Sequence, residues 1–183
     1  MIWNDGMLDR WASRGGLTPY NGSLLVKGTT LQPASVDLEL GDWIRFPNPA
    51  MFGKIITMET DPELLWSEPF EIGDSGYLRP GEVCLCHSRQ YITMPHNAAG
   101  FLQSRSGTGR RIFEHMHSGY FEPSFHGEAT FEFYNPAPWV MKIKPGDRLV
   151  QLVLMTMEKV PERSYSVTGK YNGQTGPTPH KKD

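Results

Sequence analysis

From Glu128 to Tyr134 the chain reads Glu-Ala-Thr-Phe-Glu-Phe-Tyr. Successive side chains leave a strand on opposite faces, so Phe131 and Phe133 share one face and Thr130, Glu132 and Tyr134 the other. Runs of similar length recur. Gln32–Gly41 alternates, with Val36, Leu38 and Leu40 on one side and Asp37 and Glu39 on the other, as a half-buried strand does. Further extended pieces are expected around Val83–Cys86, Tyr91–Pro95, Phe101–Gln103, Trp139–Ile143 and Arg148–Met157. Turns at Tyr77–Gly81 and Lys144–Asp147 separate them, and the 19 Gly and 15 Pro are spread along the chain. One short helix is expected over Asp5–Arg14, with Asp5 as cap, Met7, Leu8 and Trp11 on one face, and Gly15-Gly16 as its stop. Short strands at regular spacing with turns between them predict an all-β sandwich or barrel, a jelly roll or a relative.

At 183 residues the chain is most simply one domain with a substantial core. Residues 1–163 carry the strand pattern. Phe46–Glu68 is broken by Pro47, Pro49 and Pro62 and reads as a surface excursion. From Ser164 to Asp183 aliphatic residues nearly vanish while Gly169, Gly173, Gly176, Pro177 and Pro179 accumulate. That segment is either a disordered tail or a flap that orders over a ligand. A net charge of -2 supplies no global field for nucleic acid, so a polyphosphate must be held by a local basic cluster. No window approaches the ~20 apolar residues of a membrane span, and the N-terminus lacks a basic stretch followed by an apolar run. Cys84 and Cys86 are expected on one strand face as reduced residues, which fits a soluble cytoplasmic protein.

Two carboxylates stand out. An acid among apolar and aromatic neighbours is costly to ionise, so the pKa of Glu132 is expected to rise toward neutrality, where it can relay protons. A solvent-facing strand glutamate is the other reading of that segment. Glu122 lies upstream, just before a Pro-Ser turn. Ser104–Arg111 combines Arg105, Arg110 and Arg111 with Ser106, Gly107, Thr108 and Gly109. It reads as a phosphate cradle or as a solvated basic turn, and the P-loop spacing is absent. Lys170 and Gln174 could add donors if the tail folds over. His115, His117 and His126 suggest a metal only weakly. The His-x-Glu and Pro-Cys-x-x-Cys pieces of zinc nucleobase deaminases are missing, and so is a Gly-x-Ser-x-Gly elbow.

In order along the chain, these segments resemble the dCTP deaminases of the trimeric dUTPase superfamily. Gln32–Leu40 is similar to the family's early strand, and Arg79-Pro-Gly-Glu and Met94-Pro to its middle landmarks. Arg105-Ser-Gly-Thr-Gly-Arg110 resembles the phosphate motif, and Thr130-Phe-Glu-Phe-Tyr-Asn135 the strand of the catalytic glutamate. Pro145–Gln151 and Lys170–Pro179 resemble the last core strand and the closing tail. The resemblance implies a distorted jelly-roll of the dUTPase-like type with few short helices and a C-terminal flap over residues 164–183. It also implies a homotrimer with active sites between subunits. The chemistry implied is deamination of dCTP at cytosine C4 without zinc, with Mg²⁺ accompanying the triphosphate and dTTP as an inhibitor. Glu132 would shuttle protons and Ser106 would help place the water. Arg105, Gly107, Thr108, Gly109 and Arg110 would serve the phosphates, while Ser118, Tyr120, Thr130 and Phe131 would surround the base. Gln151 and Tyr165 would contact base, sugar or phosphate, and Lys170 and Gln174 would close the tail.

Departures from the pattern bear on the product. Gly107 stands where a second serine is usual, Thr108 where leucine is common, and Arg111 where an apolar residue is common. Gly119-Tyr120 after Ser118, with the Gly-Gln-Thr-Gly-Pro-Thr-Pro tail, resembles bifunctional members that go on to release dUMP and pyrophosphate. Glu122 occupies the place of their aspartate, one methylene longer. Three functions therefore remain at this level: a dCTP deaminase, yielding dUTP or directly dUMP; a dUTPase; and a non-catalytic nucleotide-binding jelly roll.

Overall fold

The structure, a computed structural model, describes residues 1–18, 29–116 and 118–181. His117 lies outside the described residues. Along the chain come α1 (Asp5–Trp11), a π-helical turn (Ala12–Gly16), and strands β1 (Leu17–Thr18), β2 (Val36–Glu39), β3 (Trp43–Ile44), β4 (Phe70–Glu71) and β5 (Gly76–Leu78). They are followed by β6 (Val83–Thr93), β7 (Ala98–Ser104), α2 (Ser106–Gly109), β8 (Glu114–His115), β9 (Tyr120–Phe121) and β10 (His126–Tyr134). The order closes with β11 (Met141–Ile143), β12 (Arg148–Thr156) and α3 (Tyr165–Thr168). Two four-stranded sheets, β1-β6-β10-β8 and β2-β12-β7-β9, form the body, with two-stranded ribbons β11-β5 and β3-β4 beside them. All the strand pairings are antiparallel. This is the expected mostly-β, jelly-roll-like architecture with few short helices. No helix among the described residues is long and apolar enough to cross a membrane.

The core lies between the two sheets. Val36, Leu38, Val150, Leu152 and Leu154 from one meet Cys84, Cys86, Ile92, Ala129, Phe131 and Phe133 from the other in one buried cluster. Phe133 stacks on Phe113 with ring centroids 4.9 Å apart. Along β10 buried and half-buried residues alternate, with Phe131 and Phe133 inside and Thr130, Glu132 and Tyr134 on the opposite face, as the pattern requires. Cys84 and Cys86 share the inner face as buried free thiols.

Several local expectations are corrected. Asn4, not Asp5, caps α1, its side chain accepting from Met7 N–H. The α-helix ends at Trp11, and Gly15, at φ 87°, turns the chain out of the π turn that follows. Val83–Cys86 and Tyr91–Thr93 belong to one eleven-residue strand, because β10 pairs with both stretches, from Tyr134 to His126, across a register shift between Glu128 and Thr130. Trp139 and Val140 lie outside β11. The excursion is held by 3₁₀ turns at Pro49–Met51 and Pro62–Leu65. Asp37 does not face solvent opposite Leu38: its side chain is fully buried.

Candidate active site

Glu132 sits mid-strand on β10, paired with Leu85, and opens into a cleft of about 340 Å³. Ser118, Tyr120, Glu122, Thr130, Tyr165 and Gln174 line the same cleft, so six of the residues singled out from the sequence join Glu132 in one place. Burial pushes the Glu132 carboxyl up, while hydrogen bonds from Ser118 and from its own backbone pull in the opposite direction. The Ser118 hydroxyl donates to Oε2, and Nε2 of His115 lies 3.6 Å from that oxygen. His115 is set there by its register opposite Phe133, with its ring edge-on to Phe131 and Phe133. Burial in this setting sets Glu132 apart from a solvated strand charge and gives its carboxyl the raised pKa that a proton relay needs. Burial also raises the Tyr120 and Tyr165 hydroxyls, and the negative charge of Glu122 adds to both shifts.

The tail is ordered against β10. Glu128 N–H donates to the Gln174 carbonyl at 2.9 Å, and Gln174 Nε2 returns a bond to the Glu128 carbonyl at 2.7 Å. Gly176 N–H donates to Glu128 Oε2 at 2.6 Å, and Thr178 N–H to Thr130 Oγ1 at 3.3 Å. His87 supports this anchor. Its Nε2 accepts from Trp43 N–H at 3.2 Å, which places the ring proton on Nδ1, 2.8 Å from Glu128 Oε2. Gln174, expected to close the tail on a triphosphate, here donates its buried amide to the Glu128 carbonyl of the strand. The Thr130 hydroxyl is likewise taken up by the tail.

The basic segment forms a second, separate cleft of about 760 Å³. Arg105, Ser106, Gly107, Thr108, Arg111, Arg148 and Gln151 line it, and none of them lines the Glu132 cleft. The segment is a helical turn, not an open loop: Arg105 is the N-cap of α2, which leaves Ser106 and Gly107 N–H without intrahelical acceptors. The turn closes as a Schellman motif, with Phe113 N–H to the Thr108 carbonyl and Ile112 N–H to the Gly109 carbonyl. Ile112 takes the left-handed position, φ 54°. Asp37 anchors the floor, with Arg105 Nε 3.1 Å and Arg148 Nη1 3.4 Å from its carboxylate oxygens. Burial raises its pKa, opposed by Arg105, Arg148 and Gln32.

Four residues assigned from the sequence do not line the Glu132 cleft. Thr108 is buried and donates its hydroxyl to the Leu149 carbonyl at 2.8 Å, a tie between α2 and β12. Arg110 is exposed and outside the cleft, where Arg111 stands instead. The Phe131 side chain is buried in the core, so only its main chain is available near Glu132. Gln151 accepts from the Ser35 hydroxyl at 3.0 Å, on the arginine side and away from Glu132. Sequence reasoning missed Asp37, Trp66, Tyr171 and His180. Trp66 lay in the unpatterned excursion, and only the fold brings it to the Glu132 cleft. Among the described residues no three His, Cys, Asp or Glu side chains gather as metal ligands.

Residues 22–157 match the family model described as dCTP deaminase-like. The chain belongs to that family. A relative named dCTP deaminase, dUMP-forming, from Corynebacterium efficiens is 32% identical over 170 residues, 91% of this chain and 85% of the relative. A relative of the same name from Rhodococcus opacus is 33% identical over 175 residues, 93% and 89% of the two chains. Among solved structures, the 2'-deoxycytidine 5'-triphosphate deaminase of Agrobacterium tumefaciens superposes with a TM-score of 0.68 at 18% identity. It covers 85% of this chain, which spans about half (48%) of that one. The dUTPase of Staphylococcus aureus phage phi11 superposes at 0.51 with 14% identity, covering 81% of this chain and 94% of its own. These two likenesses are of fold, and the fold is dUTPase-like.

Proposed function

We propose that this chain deaminates dCTP and carries the product on to dUMP, in sites shared between copies of a homotrimer. The observation that carries this reading is that Glu132 and Glu122 face one cleft. A mostly buried acid with a raised pKa shares the cleft with a second, exposed carboxylate, and the relatives' name supplies a product. Glu132 takes a proton from water as the oxygen attacks C4. It then delivers protons to the ring nitrogen and the departing amine, so that one water is consumed and one ammonia leaves. Such relays contribute on the order of 10²–10⁴-fold. Ser118 holds Oε2, which leaves Oε1 to meet the water. In the second step Glu122 orients a water toward the α-phosphorus, and the bond to the β-phosphate oxygen breaks to give dUMP and pyrophosphate. Mg²⁺ enters with the triphosphate as part of the substrate. dTTP, carrying an oxygen at C4, is the expected inhibitor.

The separation of the two clefts supports a composite site. Ser106 and Arg105 cannot serve the Glu132 of their own copy from a different cleft, whereas a neighbouring copy can present them. The tail, already lying along β10, would close over the base side.

The experiment is incubation with dCTP and Mg²⁺, following ammonia, dUTP, dUMP and pyrophosphate. Ammonia with dUMP and pyrophosphate is expected. Glu132→Gln should abolish ammonia release while keeping nucleotide binding, and Glu122→Gln should spare ammonia and suppress pyrophosphate. Ammonia with dUTP alone would mean that the extra methylene of Glu122 prevents the second step. Turnover of dUTP without dCTP, or silence on both, would overturn the reading.

A further inference from the structure

The tail rises along the outer face of β10. Gly173 N–H donates to the His126 carbonyl at 2.7 Å, and Gln174 bridges Gly127 in parallel. Gly176 then reaches Glu128, Thr178 reaches Thr130, and His180 arrives at the Glu132 cleft. Glu128, Thr130 and Glu132 share that face. At about 3.3 Å per residue, Glu128 stands roughly 13 Å before Glu132.

Main-chain pairing holds only the first part of this path. Gly127 permits it, since a Cβ there would meet the Gln174 carbonyl oxygen at 3.0 Å. Beyond Gln174 the prolines at 177 and 179 carry no N–H, so a ladder cannot continue. Side chains of β10 take the Gly176 and Thr178 amides instead. The bond to Glu128 is the shorter, 2.6 Å against 3.3 Å, and its acceptor is a carboxylate, the stronger kind. That carboxylate is itself held. His87 is buried, and its Nδ1 meets the same Oε2 that receives Gly176. Trp43 N–H occupies its Nε2, and a Cβ at Gly41 would lie 2.3 Å from the ring. One oxygen thus ties the tail to a histidine fixed by β3.

We propose that Glu128, aimed by His87, is a positioning residue: by fixing Gly176 it sets where Thr178, Pro179 and His180 line the Glu132 cleft. Glu128 itself does not line that cleft and acts through the tail. Without its carboxylate the tail stays paired as far as Gln174 and swings free beyond it. A substrate must then select the closed fraction, which weakens apparent affinity in proportion and leaves the rate at saturation unchanged. This catalytic consequence rests on the deaminase reading above; the order of the tail does not.

The test is hydrogen–deuterium exchange of the full chain, read on the tail and on β12, together with kcat and KM for dCTP. Wild type is compared with Glu128→Ala, Glu128→Gln and, as a control for loss of an exposed carboxylate, Glu158→Ala. In Glu128→Ala the Gly176 and Thr178 amides should exchange about tenfold faster, as loss of a bond to a charged group predicts, while β12 keeps its protection. KM should rise by up to about tenfold with kcat within about twofold. Glu128→Gln, whose amide oxygen still accepts from both donors, should stay within about threefold of wild type, and Glu158→Ala should change nothing. Unaltered tail exchange in Glu128→Ala, a Gln variant as open as the Ala variant, or a fall in kcat at constant KM overturns the proposal. If tail exchange depends on Glu128 in a protein that ignores dCTP, the positioning role stands and the deaminase reading falls. If Glu128→Ala releases ammonia with normal KM and normal tail exchange, the reverse holds.

Discussion

The Ser118 hydroxyl donates to Oε2 of Glu132, and this bond opposes the burial that raises the acid's pKa. A hydrogen bond to the ionised form favours that form. Removing it in Ser118→Ala should therefore raise the Glu132 pKa further. The base form is needed at the first step, so the acid limb of the kcat/KM profile should move to higher pH. At neutral pH the rate should fall by up to about tenfold, the lower part of the range for a bond to a charged group because Ser118 is exposed. A pH–rate series for ammonia release checks this. An unmoved acid limb would mean that Ser118 does not tune the acid.

Glu132 should also cost the fold stability. Its folded pKa lies above the unfolded one, so the native state binds the proton more readily. Its contribution is then most favourable below the unfolded carboxyl value, and it is lost as pH rises through the raised folded value. Glu132→Gln, neutral throughout, removes that loss and can still accept from Ser118. The variant should melt higher than wild type near pH 8, by about 2–4 °C per kcal/mol recovered, and the gap should close toward pH 4. Paired thermal melts across that range test it, and a variant less stable at every pH would contradict the sign.

Asp37 holds the arginines of the second cleft. It is fully buried while Arg105 and Arg148 are about a third exposed, with side-chain accessibilities of 34% and 30%. Breaking a buried pair costs about 3–5 kcal/mol, and solvent around the arginines reduces that. Asp37→Ala should lower unfolding free energy by about 2–3 kcal/mol, read as a shift of the urea midpoint. It should also weaken tripolyphosphate binding, because Arg105 loses the group that aims it. Lys142→Ala, on the rim of the same cleft, should leave the midpoint unchanged.

How much of this was legible in the sequence follows from the range of the forces. The face of Glu132 was legible because alternation is local, and so were the Lys144–Asp147 turn, closed by Asp147 N–H on the Lys144 carbonyl at 3.0 Å, and the reduced cysteines. Asp37 was misplaced because its alternation is that of an outward residue, while Arg105 and Arg148, far along the chain, supply the charges that make burial tolerable. The continuity of β6 was hidden for the same reason: β10, more than thirty residues on, holds its two halves in line. Ser106 and Glu132 looked like parts of one site in the linear order, and nothing local separates them. Only the packing of the two sheets puts them in different clefts.

That separation yields the strictest test of assembly. Ser106 is exposed at the start of α2 and Glu132 opens into the other cleft, so Ser106→Ala and Glu132→Gln should each leave the fold intact and lower ammonia release. If each site takes Ser106 from one copy and Glu132 from the next, subunits mixed one to one contain sites with both residues intact. Random assembly around a closed ring makes these about a quarter of all sites. Co-expressed or co-refolded mixtures should then recover about a quarter of wild-type turnover, above the residual rate of either parent. If each copy instead builds its whole site alone, every copy in the mixture is defective and recovery is nil. Recovery requires exchange between copies, so variants purified separately and mixed without unfolding should stay at the parents' residual rate, which separates shared sites from residual activity in either parent.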